Sequence, residues 1–351
     1  MRGACAAGSA LALTAVAGAG CAIAGALGTG ASAGSVACGD EQAQTTAQTM
    51  RTAHLIPDLY SYMASPSRRL TTNAAGEFYV DESCIDCAAC RWMAPQVFDA
   101  HGSMSRVFRQ PRTPEERARA LQAAVACPTG SIGCDDPAGV AWAAESFPHP
   151  IEHGVYHAGY HSEKSFGAAS YLIVRPEGNV LVDSPRFNRR LVRRIEELGG
   201  IALMFLTHRD DVADHQRFHE RFGCKRILHA RDVTAGTRGV EMVIEGDEPV
   251  ALDEELLLIP TPGHTRGSAC LLYDDRFLFS GDHVAYSTED DAIIAFDDAC
   301  WFDWRVQTRS MERLLAHRFE FLLPGHGAPC HFRHAEMHER MQQCVAWMRA
   351  R

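Results

Sequence analysis

The sequence has few basic residues for its length, and they are not clustered. Its 351 residues include 34 Lys and Arg against 44 Asp and Glu, which gives a formal net charge of −10. Because phosphate contacts require grouped Lys and Arg, this balance excludes a nucleic-acid partner. Apolar residues make up 46% and charged residues 22% of the chain, ordinary values for a globular protein long enough for two domains.

Large and acidic side chains are nearly absent from the first fifty residues. The stretch MRGACAAGSALALTAVAGAGCAIAGALGTGASAGSVACGD is mostly Ala, Gly, Ser, Thr and Cys, and its first acidic residue is Asp40. Such a composition cannot pack a specific core, so residues 1–50 are interpreted as a disordered targeting segment. We expect import into the chloroplast, with the mitochondrion as the alternative. A secretory signal and an untargeted tail also stay open, but Gly and Ala at this density make a stable membrane span unexpected.

Four of the thirteen cysteines have the spacing of iron-sulfur ligands. Cys84, Cys87 and Cys90 recur at three-residue intervals in CIDCAACRWMAPQVF, and Cys127 precedes a proline in ACPTGSIG. Three thiolates on one tight loop can face one side of a cube, and a distant Cys-Pro closes its fourth corner. This pattern resembles single-cluster [4Fe–4S] bacterial-type ferredoxins. Zinc is the alternative metal for four thiolates, and Cys134 is expected to be a small buried side chain rather than a fifth ligand.

The segment between the third and fourth cysteine predicts a helix. In TPEERARALQAAVAC, Thr113 is the expected N-cap, Pro114 occupies the first helical position and Glu116 completes a capping box. The helix would therefore deliver Cys127 at its C-terminal end. A cluster that is built into a cysteine-rich unit of this kind also indicates a reducing compartment.

Composition and the positions of prolines divide the chain into successive parts. Residues 51–76 are interpreted as a linker, and residues 77–136 as the ferredoxin-like domain. The stretch DDPAGVAWAAESFPHP, with Pro137 and two later prolines, is typical of a connection between domains. Residues 150–351 then alternate short apolar strands with polar helices, which predicts an α/β domain.

Ionisable residues follow several of the predicted strands of this second domain. His208, His264, Asp282 and His326 each come directly after an apolar run. Because loops at one edge of a layered α/β fold converge to build a site, we expect these four side chains to lie together.

Four ordered motifs carry a family resemblance. LTHRDDVADH, TPGHTRGS, FSGDH and LPGHG resemble the metallo-β-lactamase-fold hydrolases, closest to their glyoxalase II-like branch, over about residues 151–340. The resemblance implies an α/β chain: an αββα metallo-β-lactamase sandwich preceded by a small α+β ferredoxin-like domain. It also implies a small-molecule substrate and two divalent metal ions, either zinc, iron or manganese.

The same resemblance assigns the ligands residue by residue. It puts His208, Asp210 and His264 at the first metal, and Asp214, His215 and His326 at the second. Asp282 would bridge the two ions, and Asp214 would also be catalytic. Imidazole and carboxylate groups hold borderline divalent metals, whose bound water ionises near neutral pH and attacks a polarised carbonyl.

One loop departs from the family pattern. Asp210 stands where the family has a second histidine, and the Asp-His pair at residues 214–215 comes two residues late. Asp211 could replace Asp210 as the ligand if the loop bulges. A carboxylate there favours iron or manganese over zinc, as in the flavodiiron proteins of the same fold. A degenerate domain without metal is the alternative.

Other residues near these motifs keep two interpretations. Asp183 resembles an aspartate of the family that supports the ligands, and His283 is either a loop residue or a ligand. Trp301 and Trp304 lie in an acidic, aromatic insertion and either line the substrate pocket or pack in the core. His334 and His338 have helical i, i+4 spacing, which is more typical of a solvated face than of a metal site.

The predicted function is hydrolysis of a thioester, ester or related acyl compound, with a [4Fe–4S] domain in a structural or redox role. The first alternative is an iron-dependent oxidoreductase, in which an electron donor or acceptor protein exchanges electrons with the cluster and the cluster feeds a diiron site. The second is a redox sensor or binding protein without turnover.

Overall fold

The computed structural model describes residues 64–351. The predicted targeting segment and residues 51–63 of the predicted linker lie outside this range. Within it, no helix is both long enough and apolar enough to cross a bilayer.

The cysteine-rich unit combines short strands with three helices. Strands β1 (Tyr79–Val80) and β4 (Ile132–Gly133) pair antiparallel, as do β2 (Phe98–His101) and β3 (Met104–Val107). The helices are α1 (Ala89–Met93), α2 (Pro114–Ala126) and α3 (Pro137–Glu145). Helix α2 starts at its predicted N-cap, since the Thr113 hydroxyl accepts a hydrogen bond from the backbone N–H of Glu116 at 3.2 Å, and it ends next to Cys127. The predicted capping box differs in its second half, because the Glu116 carboxylate accepts from the Arg112 N–H at 2.7 Å.

Residues 64–76 are not the linker that the sequence predicts. The amide of Asn73 donates to the carbonyls of Leu70 and Val80 and accepts from the N–H groups of Val80 and Val107. One side chain therefore fastens this segment onto the strands of the cluster unit, which explains why a stretch without periodicity is ordered.

The stretch after Cys134 also differs from its prediction as a simple connection. Asp136 accepts from the Gly139 N–H at 2.9 Å and Pro137 opens the first turn, so the Asp-Pro pair starts helix α3 rather than interrupting the chain.

Two sheets form the centre of the larger domain. The first has the order β11-β10-β9-β8-β7-β6-β5, parallel from β8 to β11 and antiparallel from β5 to β8. Its strands are β5 (His149–Glu152), β6 (Val155–His157), β7 (Tyr171–Ile173), β8 (Val180–Val182), β9 (Leu203–Phe205), β10 (Lys225–His229) and β11 (Met242–Ile244).

The second sheet has the order β12-β13-β14-β15-β18-β19, and a separate hairpin pairs β16 with β17. The strands are β12 (Val250–Ala251), β13 (Leu256–Pro260), β14 (Ala269–Tyr273), β15 (Phe277–Gly281), β16 (Ala285–Ser287), β17 (Ala292–Ile294), β18 (Phe321–Pro324) and β19 (Cys330–His331). The hairpin across Asp274 and Asp275 is the one that the sequence predicts.

Helices cover the outer face of each sheet. They are α4 (Arg189–Glu197), α5 (His215–Phe222), α6 (Trp304–Leu314) and α7 (His334–Arg349). Side chains of a strand alternate between its two faces, so each strand contributes to two cores. Tyr171 and Ile173 pack between the sheets with Leu271 and Phe279, whereas Leu172 faces outward.

The outer cores complete four layers. Helices α6 and α7 pack through Met311, Leu314 and Met341 on the second sheet. Helix α4 and the cluster unit pack on the first sheet, in one continuous core that contains Val125, Phe147 and Leu172. The αββα sandwich is thus confirmed, and the small domain shares the core of one of its helical layers.

Candidate metal centre and cluster site

The ends of four strands meet at one edge of the sandwich. His208 follows β9, His264 follows β13, Asp282 follows β15 and His326 follows β18. The carboxylate of Asp282 lies among the three rings, with Oδ2 3.7 Å from His208 Nε2, 3.8 Å from His264 Nε2 and 2.9 Å from His326 Nδ1. The expectation that these four side chains gather is met.

Both aspartates of the unusual loop lie at this group. Asp210 Oδ2 is 3.9 Å from His264 Nε2, and Asp211 Oδ2 is 4.0 Å from His208 Nε2. Asp210 is 49% exposed, whereas Asp211 is buried. Two sets have ligand atoms within 4.8 Å of one another: His208, Asp210 and His264, and His208, Asp211 and Asp282.

Several ligand atoms at this edge are buried and have no hydrogen-bond partner among the described residues. They are His208 Nε2, both ring nitrogens of His264 and Asp211 Oδ2. His208 Nδ1 lies 3.0 Å from the Thr207 hydroxyl, which leaves Nε2 free to act as a ligand. Buried polar atoms without partners are costly, and a divalent cation would satisfy this set at once. The residues therefore fit a metal centre.

The charge balance agrees with this fit. Burial, together with the neighbouring Asp282 and Asp183, raises the pKa of Asp211 well above its ordinary value. Burial likewise raises the pKa of Asp183 to about 8, although hydrogen bonds from Thr207 oppose it. Burial also opposes ionisation of Asp282, but His326 and the other two histidines hold its pKa below the ordinary value. The site holds more carboxylates than its histidines can balance, and cations would restore neutrality.

Asp214 and His215 do not join the group, contrary to their predicted place at the second metal. The Asp214 carboxylate accepts from Lys164 Nζ at 2.7 Å and from the Phe187 N–H at 2.9 Å. His215 Nδ1 lies 3.1 Å from a guanidinium nitrogen of Arg226, whose charge disfavours a cation there. The two extra residues of the loop place Asp214 at the N-cap of α5, so the pair follows the helix away from the strand ends.

Two aspartates hold the loops of the site. Asp183 accepts from the Thr207 N–H at 2.8 Å, which fits its predicted supporting place. Asp232 accepts from the N–H groups of Arg209 at 3.1 Å and Gly267 at 2.8 Å, so it ties the first loop to the loop after His264. No motif pointed to Asp232; its signal in the sequence is only a lone acidic residue after strand β10.

The two tryptophans of the aromatic insertion differ in their surroundings: one lines the site and the other packs in the core. Trp301 is 63% exposed, and its ring centroid lies 6.4 Å from that of His264, so it lines the opening of the site. Trp304 packs against Trp347 instead, and its indole N–H donates to the Met348 carbonyl. His283 is buried beside His264 without a partner for either ring nitrogen among the described residues.

The four predicted cluster ligands line one cavity in the small domain. Backbone N–H groups point at two of the sulfurs, from Ser105 to Cys84 at 3.4 Å and from Ser131 to Cys127 at 3.2 Å. Burial raises the pKa of Cys87 to about 12, so these thiolates need a cationic partner. The sulfurs and their donors fit an iron-sulfur cluster. Cys134 donates to Glu77 and is not among them.

Comparison with known families agrees with both sites. Residues 80–134 match the model of the 4Fe-4S single cluster domain of Ferredoxin I, and residues 165–326 match the metallo-β-lactamase superfamily. The chain joins a metallo-β-lactamase domain to a single-cluster ferredoxin domain. The αββα layers and the His and Asp residues at the strand ends of the metallo-β-lactamase domain agree with this match.

Individual relatives are more distant. A hydroxyacylglutathione hydrolase from Rhizobium etli is 34% identical over 85 residues, which are 23% of this chain and 33% of that protein. The chain thus matches about a third of the length of this curated relative. The match supports the resemblance to the glyoxalase II-like branch. Among solved structures, a metallo-β-lactamase superfamily protein from Sulfolobus tokodaii has a TM-score of 0.40 at 19% identity, covering 56% of this chain and 86% of its own. A metallo-β-lactamase from Hirschia baltica has a TM-score of 0.45 at 16% identity, with coverages of 56% and 95%.

Proposed function

We propose that the metallo-β-lactamase domain hydrolyses a small acyl compound, a thioester or an ester, with divalent cations as cofactors. The observation that carries this proposal is the set of buried ligand atoms without partners around Asp282. The relative named as a hydroxyacylglutathione hydrolase supports the thioester class.

The side chains around Asp282 would bind two cations. His208 and His264 would hold one cation with Asp282, and Asp211, His326 and Asp282 would hold a second. When bound, such cations lower the pKa of a coordinated water and polarise the substrate carbonyl.

Two side chains at the opening would act on the substrate directly. Asp210 is the most exposed carboxylate of this group, at 49% against 11% for Asp282, so it would accept the proton of an entering water. Trp301 would cover one side of the substrate with an apolar surface and keep bulk water away.

Anaerobic purification followed by metal analysis and a thioester-cleavage assay tests the proposal. His264→Ala should lower the metal content of the large domain and abolish the cleavage activity, while the visible absorbance of the cluster stays. His338→Ala, on helix α7 and hydrogen-bonded to Gln342, is the matched histidine control and should change neither. Full activity in His264→Ala would contradict the assignment of the site.

A second candidate is an iron-dependent redox reaction. It is favoured by the two carboxylates beside His208, because an oxygen-rich ligand set suits iron or manganese better than zinc. The same metal analysis separates the candidates. Two irons beyond the four of the cluster, with turnover that depends on a reductant, would favour the redox enzyme. Two zincs and cleavage that is indifferent to reductant would favour the hydrolase.

A further inference from the structure

A short segment, residues 161–167, lies between the cluster cavity and the metal centre. At its start, the His161 N–H donates to the carbonyl of Ala126, next to the cluster ligand Cys127, at 3.1 Å. Just after its end, the Ala169 N–H donates to the carbonyl of Gly325, next to the metal-site residue His326, at 2.8 Å. The segment is thus fixed to both sites.

On the cluster side, the backbone of the segment touches a ligand. A Cβ atom at Gly167 would lie 2.7 Å from Cys87 Cβ and 2.8 Å from Cys87 Sγ. Gly167 also has a φ of +88°, which disfavours any other residue. Only glycine therefore allows the chain to pass this close to the sulfur.

On the metal side, the adjacent carbonyl meets a histidine of the centre. His326 Nε2 lies 3.3 Å from the Phe166 carbonyl oxygen, and its Nδ1 faces Asp282 at 2.9 Å. A histidine that ligates a metal through one nitrogen commonly donates its other N–H to a backbone carbonyl, which fixes the ring. The Phe166 carbonyl is in the position to orient His326 in this way.

These contacts leave one peptide unit between the cluster ligand Cys87 and the metal-site residue His326. With standard bond lengths, Cys87 Sγ and His326 Nε2 are at most about 12 Å apart along this path. The cluster and the cation lie beyond these two atoms, and at an effective dielectric constant of about 20, one added electron still changes the binding constant of a divalent cation about tenfold at a separation of about 20 Å.

We propose that the oxidation state of the cluster regulates the cation affinity of the metal centre through the peptide that joins Phe166 to Gly167. A low-potential one-electron donor, such as a ferredoxin-class carrier or dithionite, would convert [4Fe–4S]²⁺ to [4Fe–4S]⁺. The added negative charge strengthens cation binding at His326 and Asp282, and by reciprocity a bound cation makes the cluster easier to reduce. This regulation rests on the proposed function only in requiring that the centre binds divalent cations.

The test is a redox titration of the full chain, holding its cluster, with the cluster followed by electron paramagnetic resonance. The centre is first emptied with a chelator and then refilled with Zn²⁺, while the visible absorbance confirms that the cluster is intact. We expect Zn²⁺ to raise the midpoint potential, and the zinc dissociation constant to fall about tenfold on reduction, which equals a shift of about 59 mV. An unchanged potential at full zinc occupancy would overturn the proposal.

Two variants locate the coupling. In His326→Ala, Zn²⁺ should no longer raise the potential, because His326 is the metal-site residue that contacts the Phe166 carbonyl; a full shift there would assign the effect to zinc bound elsewhere and overturn the proposal. Gly167→Ala should displace Cys87 and change both the cluster spectrum and the zinc affinity. Gly102→Ala is the matched control, since Gly102 also has a positive φ but no atom of the described residues within 4 Å of an added Cβ, and it should change neither.

The outcomes separate this proposal from the proposed hydrolysis. A potential shift without thioester cleavage would uphold the coupling and contradict the hydrolase. If the zinc-loaded protein cleaves thioesters but the midpoint potential of its cluster is the same with and without zinc, the hydrolase is upheld and the coupling is contradicted.

Discussion

At the metal centre, Asp210 and Asp211 follow one another in the chain but meet different surroundings. Asp210 is half exposed, and solvent stabilises its charge. Asp211 is buried near Asp282 and Asp183, and its Oδ2 has no hydrogen-bond partner among the described residues. A charge in that place is unfavourable until a cation binds. Without metal, Asp211 should therefore destabilise the fold.

We expect Asp211→Asn to stabilise the metal-free protein by about 1–3 kcal/mol at neutral pH and to weaken metal binding. The pKa of Asp211 is raised in the folded state, so its neutral form is stabilising below the ordinary pKa of aspartate, and that stability is lost as the pH rises toward the raised value. Urea unfolding in chelator at several pH values should show this decline in the wild type and a smaller one in the variant.

Asp210→Asn is the control for this pair. Because solvent reaches its side chain, the free energy of unfolding of metal-free protein should change by no more than about 0.5 kcal/mol. If Asp211→Asn destabilises the metal-free protein instead, Asp211 has a partner that the structure does not show.

Which site residues could be predicted depends on how local their placement is. His208, His264, Asp282 and His326 each follow an apolar strand, and strand ends of one sandwich meet at one edge, so sequence alone was enough. The place of Asp214 could not be read in this way. It depends on Lys164, fifty positions earlier, and on the backbone of Phe187, neither of which any local pattern links to it.

At the scale of elements, the Asp-His pair of the longer loop lies at the start of helix α5. Asp214 is the N-cap of the helix, yet its side chain makes no capping bond and holds Lys164 and the Phe187 N–H instead. The carboxylate thus joins three segments of the chain. This is a structural role, at a position where the family pattern predicts a ligand.

Asp214→Ala tests that distinction. Loss of a buried charge-assisted hydrogen bond to Phe187 should lower the free energy of unfolding by about 1–3 kcal/mol, while the metal content per chain stays the same. Thermal unfolding and metal analysis of one preparation measure both. Glu220→Ala on the same helix, where Glu220 accepts a hydrogen bond from Gln216, should change neither quantity. Loss of metal in a folded Asp214→Ala protein would restore Asp214 as a ligand.

Elements with strong local signals were predictable. The helix that starts at Thr113 and the hairpin across Asp274 and Asp275 both follow from caps and turns in the sequence. Helix α3 was missed because its Asp136-Pro137 start also suits a connection. The ordered segment around Asn73 was missed because a single amide, with partners up to 34 positions away, replaces any periodic pattern.

At the scale of the whole molecule, the ferredoxin domain and the metallo-β-lactamase domain share a core. Phe147 is buried, with its ring centroid 5.7 Å from His157 and 5.9 Å from Tyr160, and Trp92, two residues after Cys90, lies 5.3 Å from His157. At the rim, Arg190 pairs with Glu145 at 2.8 Å. Motifs predicted two domains with separate sites, but a shared core depends on surfaces that no motif records.

Because of this core, we expect the two domains to unfold together. Phe147→Ala should remove about 3–5 kcal/mol of stability, and its effect should reach both domains although Phe147 ligates neither cluster nor metal. Urea unfolding under anaerobic conditions, followed by cluster absorbance and by far-ultraviolet circular dichroism, should give coincident transitions that shift by the same amount. Phe108→Ala, at a 40% exposed position of the small domain, should leave both within about 0.5 kcal/mol. If the cluster signal is lost at clearly lower urea than the rest of the structure, the ferredoxin domain unfolds on its own, and the contacts around Phe147 contribute little to holding the cluster beside the metal centre.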